Sequence, residues 1–527
     1  MSGTGVPNPS ARRSPLADSL PPFAGATVFP VVAVHLALHF YTIAVTHFGA
    51  HRDEFLYFSM GQHLRIWRMD FPPLIAILAN VSRALFDHRL AAMRIFPAVE
   101  GAFLVVLAAL IARELGGGRL AQGLAALCVL AGPMFQRTTT LFQPVVLDEV
   151  WWTLGLYFLI RLGTRENHRE WLRFGVAMGL GLLTKFSILL LGFAVLVAVG
   201  VTPARRWLKT PWPWIAAAIA FALGSPSIIG QILLHFPVVG QMQEIQREQF
   251  VHVSWSGFLT IQPVLVGPVP LLLAVAGIAG LMAKPEWREL AVAGWACLVV
   301  FTLILLLRGK PYYVGGIYPG LFAAGSVMLE RTRLPRGTVA LRIAAYVVTI
   351  IMGALAVPIG MPLLAPQSTA RYAERLGIDA AVRTNRGEMD RLPQDFADML
   401  GWEQQAQGLA AVVAALPPEE QQVAVILAGN YGEAGAAEFY GPVYGLPPVV
   451  SPAGSFRFFG AGGRPGTVGV SIGIDSARLA SRYDDVRVAS VLRSAWSVAE
   501  ERQVTIAVGR RPKQSLQDWL TGPARQP

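Results

Sequence analysis

The chain has 527 residues, 54% of them hydrophobic and only 15% charged, with a formal net charge of +11. That balance excludes an ordinary soluble globular protein, and also a disordered chain, which needs few apolar residues and many charges. What fits is an α-helical polytopic membrane protein, in which about 20 apolar residues make one span and roughly ten or eleven spans leave room for a small C-terminal domain.

Residues 1–22 are polar and Pro/Ser-rich with Arg12 and Arg13, and read as a disordered cytoplasmic N-terminus. The apolar run that follows lacks a small-residue cleavage signature and is expected to be a retained first span. Runs near 25–47, 91–112, 120–136, 141–160, 174–201, 213–235, 263–283, 289–307, 311–329 and 340–362 are each about long enough to cross a bilayer. Between them lie basic loops: Arg113/Arg119, Arg161/Arg165/Arg169/Arg173, Arg205/Arg206/Lys209, Lys284/Arg288 and Arg331/Arg333/Arg336. The positive-inside rule makes these cytoplasmic, so the charge of the chain is topological and no nucleic-acid partner is expected.

The run 174–201 has cytoplasmic loops at both ends and must cross an even number of times. At 1.5 Å per residue it is too short for two full crossings, which predicts two short helices turning near Lys185 at the outer side. About eleven spans result, with the N-terminus cytoplasmic, the C-terminus extracytoplasmic and the protein in the cytoplasmic (inner) membrane.

Two outer segments, 48–90 and 236–262, are too long to be turns, and loops of that size are usually functional. Phe55, Leu56, Phe58, Met60, Leu64, Ile66 and Trp67 among polar residues suit a helix lying in the membrane interface. Pro72-Pro73 opens a second helix. From about 365 the pattern turns soluble, with β-rich runs 423–427, 468–474 and 504–508 between helical stretches such as 395–415. The expected division is 1–22, a membrane domain 23–364, and an extracytoplasmic α/β domain 365–527. Cys128 and Cys297 lie inside apolar runs and read as packing residues.

His51-Arg52-Asp53-Glu54-Phe55-Leu56-Tyr57, just outside the first span, carries a carboxylate pair. It reads either as catalytic or as the first turn of a helix, where acids are favoured by the dipole. Asp53, Glu54, Asp70, His51 and His63 are also candidates for a divalent metal ion, although their spacing matches no defined metal motif.

The order of motifs resembles bacterial glycosyltransferase family 39. These are GT-C-type enzymes related to dolichyl-phosphate-mannose protein mannosyltransferases and to the aminoarabinose transferases of lipid A. The carrying residues are Arg52-Asp53-Glu54-x-x-Tyr57, Pro72-Pro73-Leu74, Arg94-x-x-Pro97, Ala112-Arg113-Glu114-Leu115-Gly116-Gly117, Asp148 before Trp152, and Gly181-Leu182-Leu183-Thr184-Lys185. Gly309-Lys310-Pro311-Tyr312-Tyr313 with Tyr318-Pro319, and Asn430-Tyr431-Gly432-Glu433-Ala434-Gly435, complete a set that runs over most of the chain.

The resemblance implies transfer of a sugar from a polyprenyl-phosphate donor to a lipid, glycan or protein acceptor at the outer face of the membrane, with inversion. Carried over by position, Asp53, with Glu54 beside it, is the base that takes the acceptor proton. The phosphate leaving group needs positive charge rather than a strong acid, which makes Lys185, Arg308, Lys310 and Arg247 the candidate cations. For Arg308 and Lys310 the other reading is snorkelling at a helix end. Asp148, Tyr57, Tyr312 and Tyr313 are expected near sugar or acceptor, Asp148 having an ion pair with Arg137 or another helix as its alternative.

The lipid A branch carries Glu-Lys before its Pro-Pro-Leu, whereas Asp70-Phe71 stands here, which argues against aminoarabinose transfer. Similarly, Ala453-Gly454-Ser455 stands where relatives have Gly-His-Asn. The Gly-rich stretch 430–435 lacks a Walker lysine and reads as a structural turn or an acceptor-binding surface. Two rival functions are a transporter or flippase of lipid-linked glycans, though no repeat is seen, and a non-catalytic envelope glycan-binding protein.

Overall fold

The computed structural model describes residues 20–86, 89–165, 167–377, 382–460 and 463–521. Arg12 and Arg13, and all of the expected N-terminal segment before residue 20, lie outside them. The first seventeen helices are α1 (Gly25–Val45), α2 (Arg52–Gln62), α3 (Leu74–Phe86), α4 (Leu90–Glu114), α5 (Arg119–Ala131), α6 (Pro133–Thr138), α7 (Pro144–Arg165), α8 (Arg169–Thr184), α9 (Ile188–Val201), α10 (Trp212–Leu233), α11 (Pro237–Glu248), α12 (Trp255–Thr260), α13 (Gln262–Val266), α14 (Pro268–Ala283), α15 (Ala291–Leu306), α16 (Tyr318–Arg331) and α17 (Thr338–Gly360). Among the described residues, five helices are long and apolar enough to cross a membrane: α1, α4, α10, the stretch Pro285–Leu306 ending in α15, and α17. Two bent pairs, one beginning with α9 and one ending with α14, bring the number to at most seven.

The helix ends sort into two groups. At one end Glu330 of α16 accepts hydrogen bonds from the backbone N–H groups of Gly118, Leu120 and Ala121, which open α5. There too, Arg165 binds both oxygens of Glu114, and Arg206 pairs with Glu289. The opposite end gathers the two long segments: Thr46 bonds the Pro362 carbonyl, Gly49 N–H the Met399 carbonyl, and Gln231 the Asp70 carbonyl. The basic loops thus cluster away from residues 46–73.

The chain breaks at Lys185 as the charge pattern requires. Lys185 is extended (φ −162°), its N–H caps α8 on the Gly181 carbonyl, and Ile188 of α9 fills the space where a Gly181 Cβ would sit, 2.6 Å away. The run 311–329 is not helical throughout. Pro311–Ile317 forms a 3-10 turn before α16, and its Gly315 and Gly316 lie against Glu149 and Trp152 of α7, with no room for a side chain.

The interfacial reading of α2 is corrected. Every residue from Glu54 to Gly61 is buried by protein, not by a lipid surface. The cause is close approach on two sides: a Cβ at Gly61 would come within 2.8 Å of the Ala79 Cβ in α3, and Phe55 packs on the C-terminal region. Of the seven apolar residues behind that reading, Ile66 and Trp67, past the end of α2, stay exposed, as do Val81, Leu85 and Phe86 of α3.

That C-terminal region contains α18 (Pro366–Leu376), α19 (Gln394–Ala397), α20 (Trp402–Ala414), α21 (Pro418–Val423), β1 (Ala424–Ala428), α22 (Tyr431–Tyr444), β2 (Val449–Val450), β3 (Val468–Ile472), α23 (Ser476–Ala480), β4 (Tyr483–Arg493), β5 (Gln503–Pro512) and α24 (Leu516–Thr521). The sheet order is β2-β1-β3-β5-β4, parallel from β2 to β3 and antiparallel beyond. β1 and β3, buried at all five positions, are the apolar runs that the sequence shows. The edge strand β4 carries Asp484, Asp485 and Arg487, which hide its period but protect an open edge.

Candidate active site

His51, the N-cap of α2, accepts a hydrogen bond from the Asp53 N–H at Nδ1 (3.1 Å), while Glu54 Oε2 accepts from the His51 N–H (2.8 Å), closing a capping box. With Nδ1 accepting, the ring proton sits on Nε2, which faces Asp398 (3.7 Å) and Asp395 (4.0 Å). Arg52 pairs with Asp398 through Nε and lies over the Trp402 ring.

The two adjacent carboxylates have different surroundings. Glu54 is fully buried and binds Arg94 through both oxygens (3.1 and 2.8 Å), with the Phe142 N–H as a further donor at 3.0 Å. Burial alone would raise its carboxyl, but the Arg94 guanidinium and the two backbone donors outweigh that and hold it below the ordinary value of 4.5. Asp53 keeps 30% of its side chain exposed. Its oxygens accept from Tyr431 Oη (2.9 Å) and Gln143 Nε2 (3.2 Å), both neutral donors.

Electrostatic neighbours lead from Asp53 by way of Tyr57 and Tyr313 to the Lys185 break. Burial, then the neighbouring Asp53, Tyr313 and Asp70, push the Tyr57 phenol well above its usual value, so it stays protonated. Tyr313 stands edge-on to Tyr312 and lies under the Lys185 ammonium, 4.5 Å from Nζ to the ring centre. Lys185 Nζ is 3.9 Å from Asp148 Oδ2, an oxygen that also accepts from Ser187 Oγ at 2.6 Å. The break between α8 and α9 therefore delivers both Lys185 and Ser187 to Asp148 of α7. Of the alternative partners for Asp148, Arg137 is engaged elsewhere, pairing with Asp395 (3.5 Å) and bonding the Ile359 carbonyl, whereas an ion pair with another helix is present in the Lys185 contact at the end of α8.

The other cations stand apart from this line in different degrees. Lys310 is half-buried, with Nζ 5.8 Å from the Tyr312 ring centre. Arg308 is exposed, in the left-handed region (φ +53°) at the end of α15, with its guanidinium over Trp255. Arg247, in the last turn of α11, is exposed.

The Gly-rich stretch 430–435 is the start of α22, not a loop. Asn430 caps the helix with Glu433 in a second capping box. A Cβ at Gly435 would meet the Phe55 Cβ at 2.6 Å, and one at Gly432 would meet the Arg52 Cβ at 3.1 Å, so these glycines let α22 press on α2. Asp70 accepts from Ser455 Oγ (2.9 Å), which gives the departure at 453–455 a definite contact. Burial pushes the Asp70 carboxyl up although Ser455 opposes it.

Among the described residues no group of three or more His, Cys, Asp and Glu side chains is arranged to hold a metal ion. Three of the five candidates have separate partners, Glu54 on Arg94, Asp70 on Ser455 and His63 on Glu438 (2.7 Å), while His51 and Asp53 face each other (3.9 Å) and share Gln143. An apolar cavity of about 350 Å³ lined by Pro133, Val266, Pro270, Met352 and Leu355 contains none of the candidate residues. Tyr431, Gln143, Ser187, Ser455 and Asp398 are the contacts that sequence reasoning missed. Tyr431 and Ser455 carried a signal, Tyr431 inside a quoted motif and Ser455 inside the quoted departure at 453–455.

Residues 70–229 match the family model described as Dolichyl-phosphate-mannose-protein mannosyltransferase. The fold is similar to that of ArnT from Cupriavidus metallidurans bound to undecaprenyl phosphate, with 18% identity, TM-score 0.58, and coverage of 92% of this chain and 98% of that one. Against ArnT from the same organism in the apo state the TM-score is 0.60 at the same identity and coverage. No curated protein matches the sequence significantly. The resemblance read from the motifs is matched by the family model over residues 70–229 and by the ArnT fold over most of the chain.

Proposed function

We propose that this chain is an integral-membrane glycosyltransferase that moves a sugar from a polyprenyl-phosphate donor to an acceptor hydroxyl or amine, with inversion at the anomeric carbon and Asp53 as general base. The observation that carries this reading is the unequal carboxylate pair at the start of α2. Glu54 is consumed by Arg94, whereas Asp53 is partly exposed and holds only neutral donors, so Asp53 has a lone pair for a proton. We assign Glu54 the role of positioning Asp53 through the capping box.

In the proposed step the acceptor oxygen or nitrogen forms a bond to the anomeric carbon as Asp53 takes its proton. The bond from that carbon to the phosphate oxygen breaks, and its electron pair leaves with the phosphate. Lys185 offsets the charge that collects there, and Lys310 is the nearest reserve. Tyr57, Tyr312 and Tyr313 line the path between base and cation, and Asp148 offers an acceptor for sugar hydroxyls. Arg308 and Arg247 fit the outer rim, where they meet a donor on its way in.

Beyond the spans marked by length and apolarity alone, we read the remaining long helices of this part as crossings too, giving eleven, by α1, α4, α5, α7, α8, α9, α10, α14, α15, α16 and α17, a number in keeping with the two-ended sorting of the loops. The basic end is cytoplasmic by the positive-inside rule, and the Asp53 end with the sheet domain is extracytoplasmic in the inner membrane. The domain division at about residue 364 follows the same logic. The test uses purified protein in liposomes with a radiolabelled undecaprenyl-phosphate sugar pool and membrane-extracted acceptors. Transfer of label should be abolished in Asp53→Asn at an unchanged thermal midpoint, and an unaffected variant would refute the assignment.

A further inference from the structure

The hydroxyl that reaches Asp53 comes from 378 residues further along the chain, in the sheet domain. Tyr431 is the first residue of α22, and several independent contacts fix where it stands. Asn430 donates to Glu501 (2.9 Å) and caps α22 at Gly432 and Glu433. Gly435 seats the helix on Phe55, whose ring also meets Trp402, Phe439 and Tyr440 edge-on. Arg52, next to Asp53 in sequence, is tied to Asp398 in the same region. A tyrosine held this firmly fixes the direction of the carboxylate it donates to.

We propose that Tyr431 is a positioning residue of the transfer reaction, orienting Asp53 toward the acceptor, so that the base is correctly aimed only when the sheet domain is docked on α2. The proposal rests on the reading of Asp53 as base. Its chemistry is simple: the Tyr431 O–H occupies one lone pair of Oδ1 and Gln143 one of Oδ2, leaving a defined direction from which a proton is accepted. Burial and the adjacent Asp53 carboxylate push the Tyr431 phenol well above its ordinary 10, so it remains a donor at any working pH.

The experiment compares Tyr431→Phe with the unmodified protein, reconstituted with a radiolabelled undecaprenyl-phosphate sugar pool. Groups that face Asp53 and enter its pH response are His51 and Arg52 from the start of α2, Tyr57 one turn on, Tyr312 from the 3-10 turn, Asp398 from the segment after α19, and Tyr431 itself. Of these only Tyr431 changes. The expected result is a fall in kcat of about tenfold, an unchanged KM for the lipid-linked donor, an unchanged thermal midpoint, and an acid limb of the rate profile moved up by about one pH unit, because a hydrogen bond to the charged form has been lost. The double variant with Asp53→Asn should be no slower than Asp53→Asn alone.

A variant with the original kcat and pH profile overturns the proposal, and so does a loss of rate with an unmoved acid limb, which is what a contact serving stability alone would give. If Asp53→Asn is inactive while Tyr431→Phe behaves as the unmodified protein, positioning fails and the base assignment stands. If Asp53→Asn is fully active, the base assignment fails and positioning fails with it.

Discussion

Replacing Arg94 by methionine tests whether the start of α2 is held by a buried ion pair. Glu54 has no exposed surface and Arg94 has 2%, and Arg94 also donates to the Gly49 carbonyl at 2.8 Å. Arg94→Met keeps the volume but strands a carboxylate that retains only two backbone donors, from His51 and Phe142. Removing one partner of a buried pair costs about 3–5 kcal/mol, whereas removing both charges costs much less. The double variant with Glu54→Gln should therefore recover at least about 2 kcal/mol relative to the sum of the single changes. Heat treatment in detergent followed by size-exclusion measurement of the folded fraction reads the series. The pH dependence adds a second arm. The Glu54 carboxyl is held below 4.5 in the folded protein, so its contribution is fully present above about that pH and is lost as pH falls through the folded-state value. Glu54→Gln should lack that acid-side loss. Single variants within about 1 kcal/mol of the unmodified protein, or strictly additive costs, would refute the reasoning.

Two further outcomes follow from the same geometry. Lys185→Met should insert normally in the membrane yet lose transfer activity by at least about tenfold, or roughly 1.4 kcal/mol of barrier, in the liposome assay; full activity would sink the phosphate-side role. Gly435→Val places a side chain where a Cβ already meets Phe55 at 2.6 Å. Overpacking of that kind costs about 1–3 kcal/mol, and should appear as a lower thermal midpoint with faster proteolytic cleavage between the sheet domain and α17. An unchanged midpoint would show that α2 and α22 do not press together.

The helices of the membrane part are legible because each rests on a local signal. Apolar runs mark the long helices, and the charge bookkeeping around 174–201 marks the break at Lys185 although both flanking helices are apolar. Asp53 and Glu54 were visible as a pair, but nothing local separates them. Their difference comes from Arg94, 40 residues away, and Tyr431, 378 away, and such pairings depend on the fold. The burial of α2 was missed for a related reason. Its mixed pattern is that of a helix with one apolar face, and the polar residues Ser59 and Glu54 gave no hint that a second domain covers the other side. Gly432 and Gly435 looked like a flexible turn in sequence, while in the structure they are close-approach positions within a helix.

The same distinction separates charges that hold the fold from charges left for a substrate. Arg94 meets Glu54 at 2.8 and 3.1 Å with both groups buried, and Arg165 meets Glu114 at 2.6 and 2.7 Å; these pairs satisfy one another. Lys185 stands 3.9 Å from Asp148 Oδ2, beyond hydrogen-bond length, and Ser187 donates to that same oxygen at 2.6 Å. Its other neighbours are the face of Tyr313, a weak partner, and the Glu149 carboxyl, which acts on it through space. In the proposed transfer an incoming phosphate would compete with a carboxylate at 3.9 Å and a ring, not with a bidentate ion pair. Asp53 mirrors this arrangement, holding neutral donors where Glu54 holds a cation. In the proposed transfer Asp53 is the base and Lys185 the cation, and neither is held by a close ion pair, so charge could change hands there without breaking the fold.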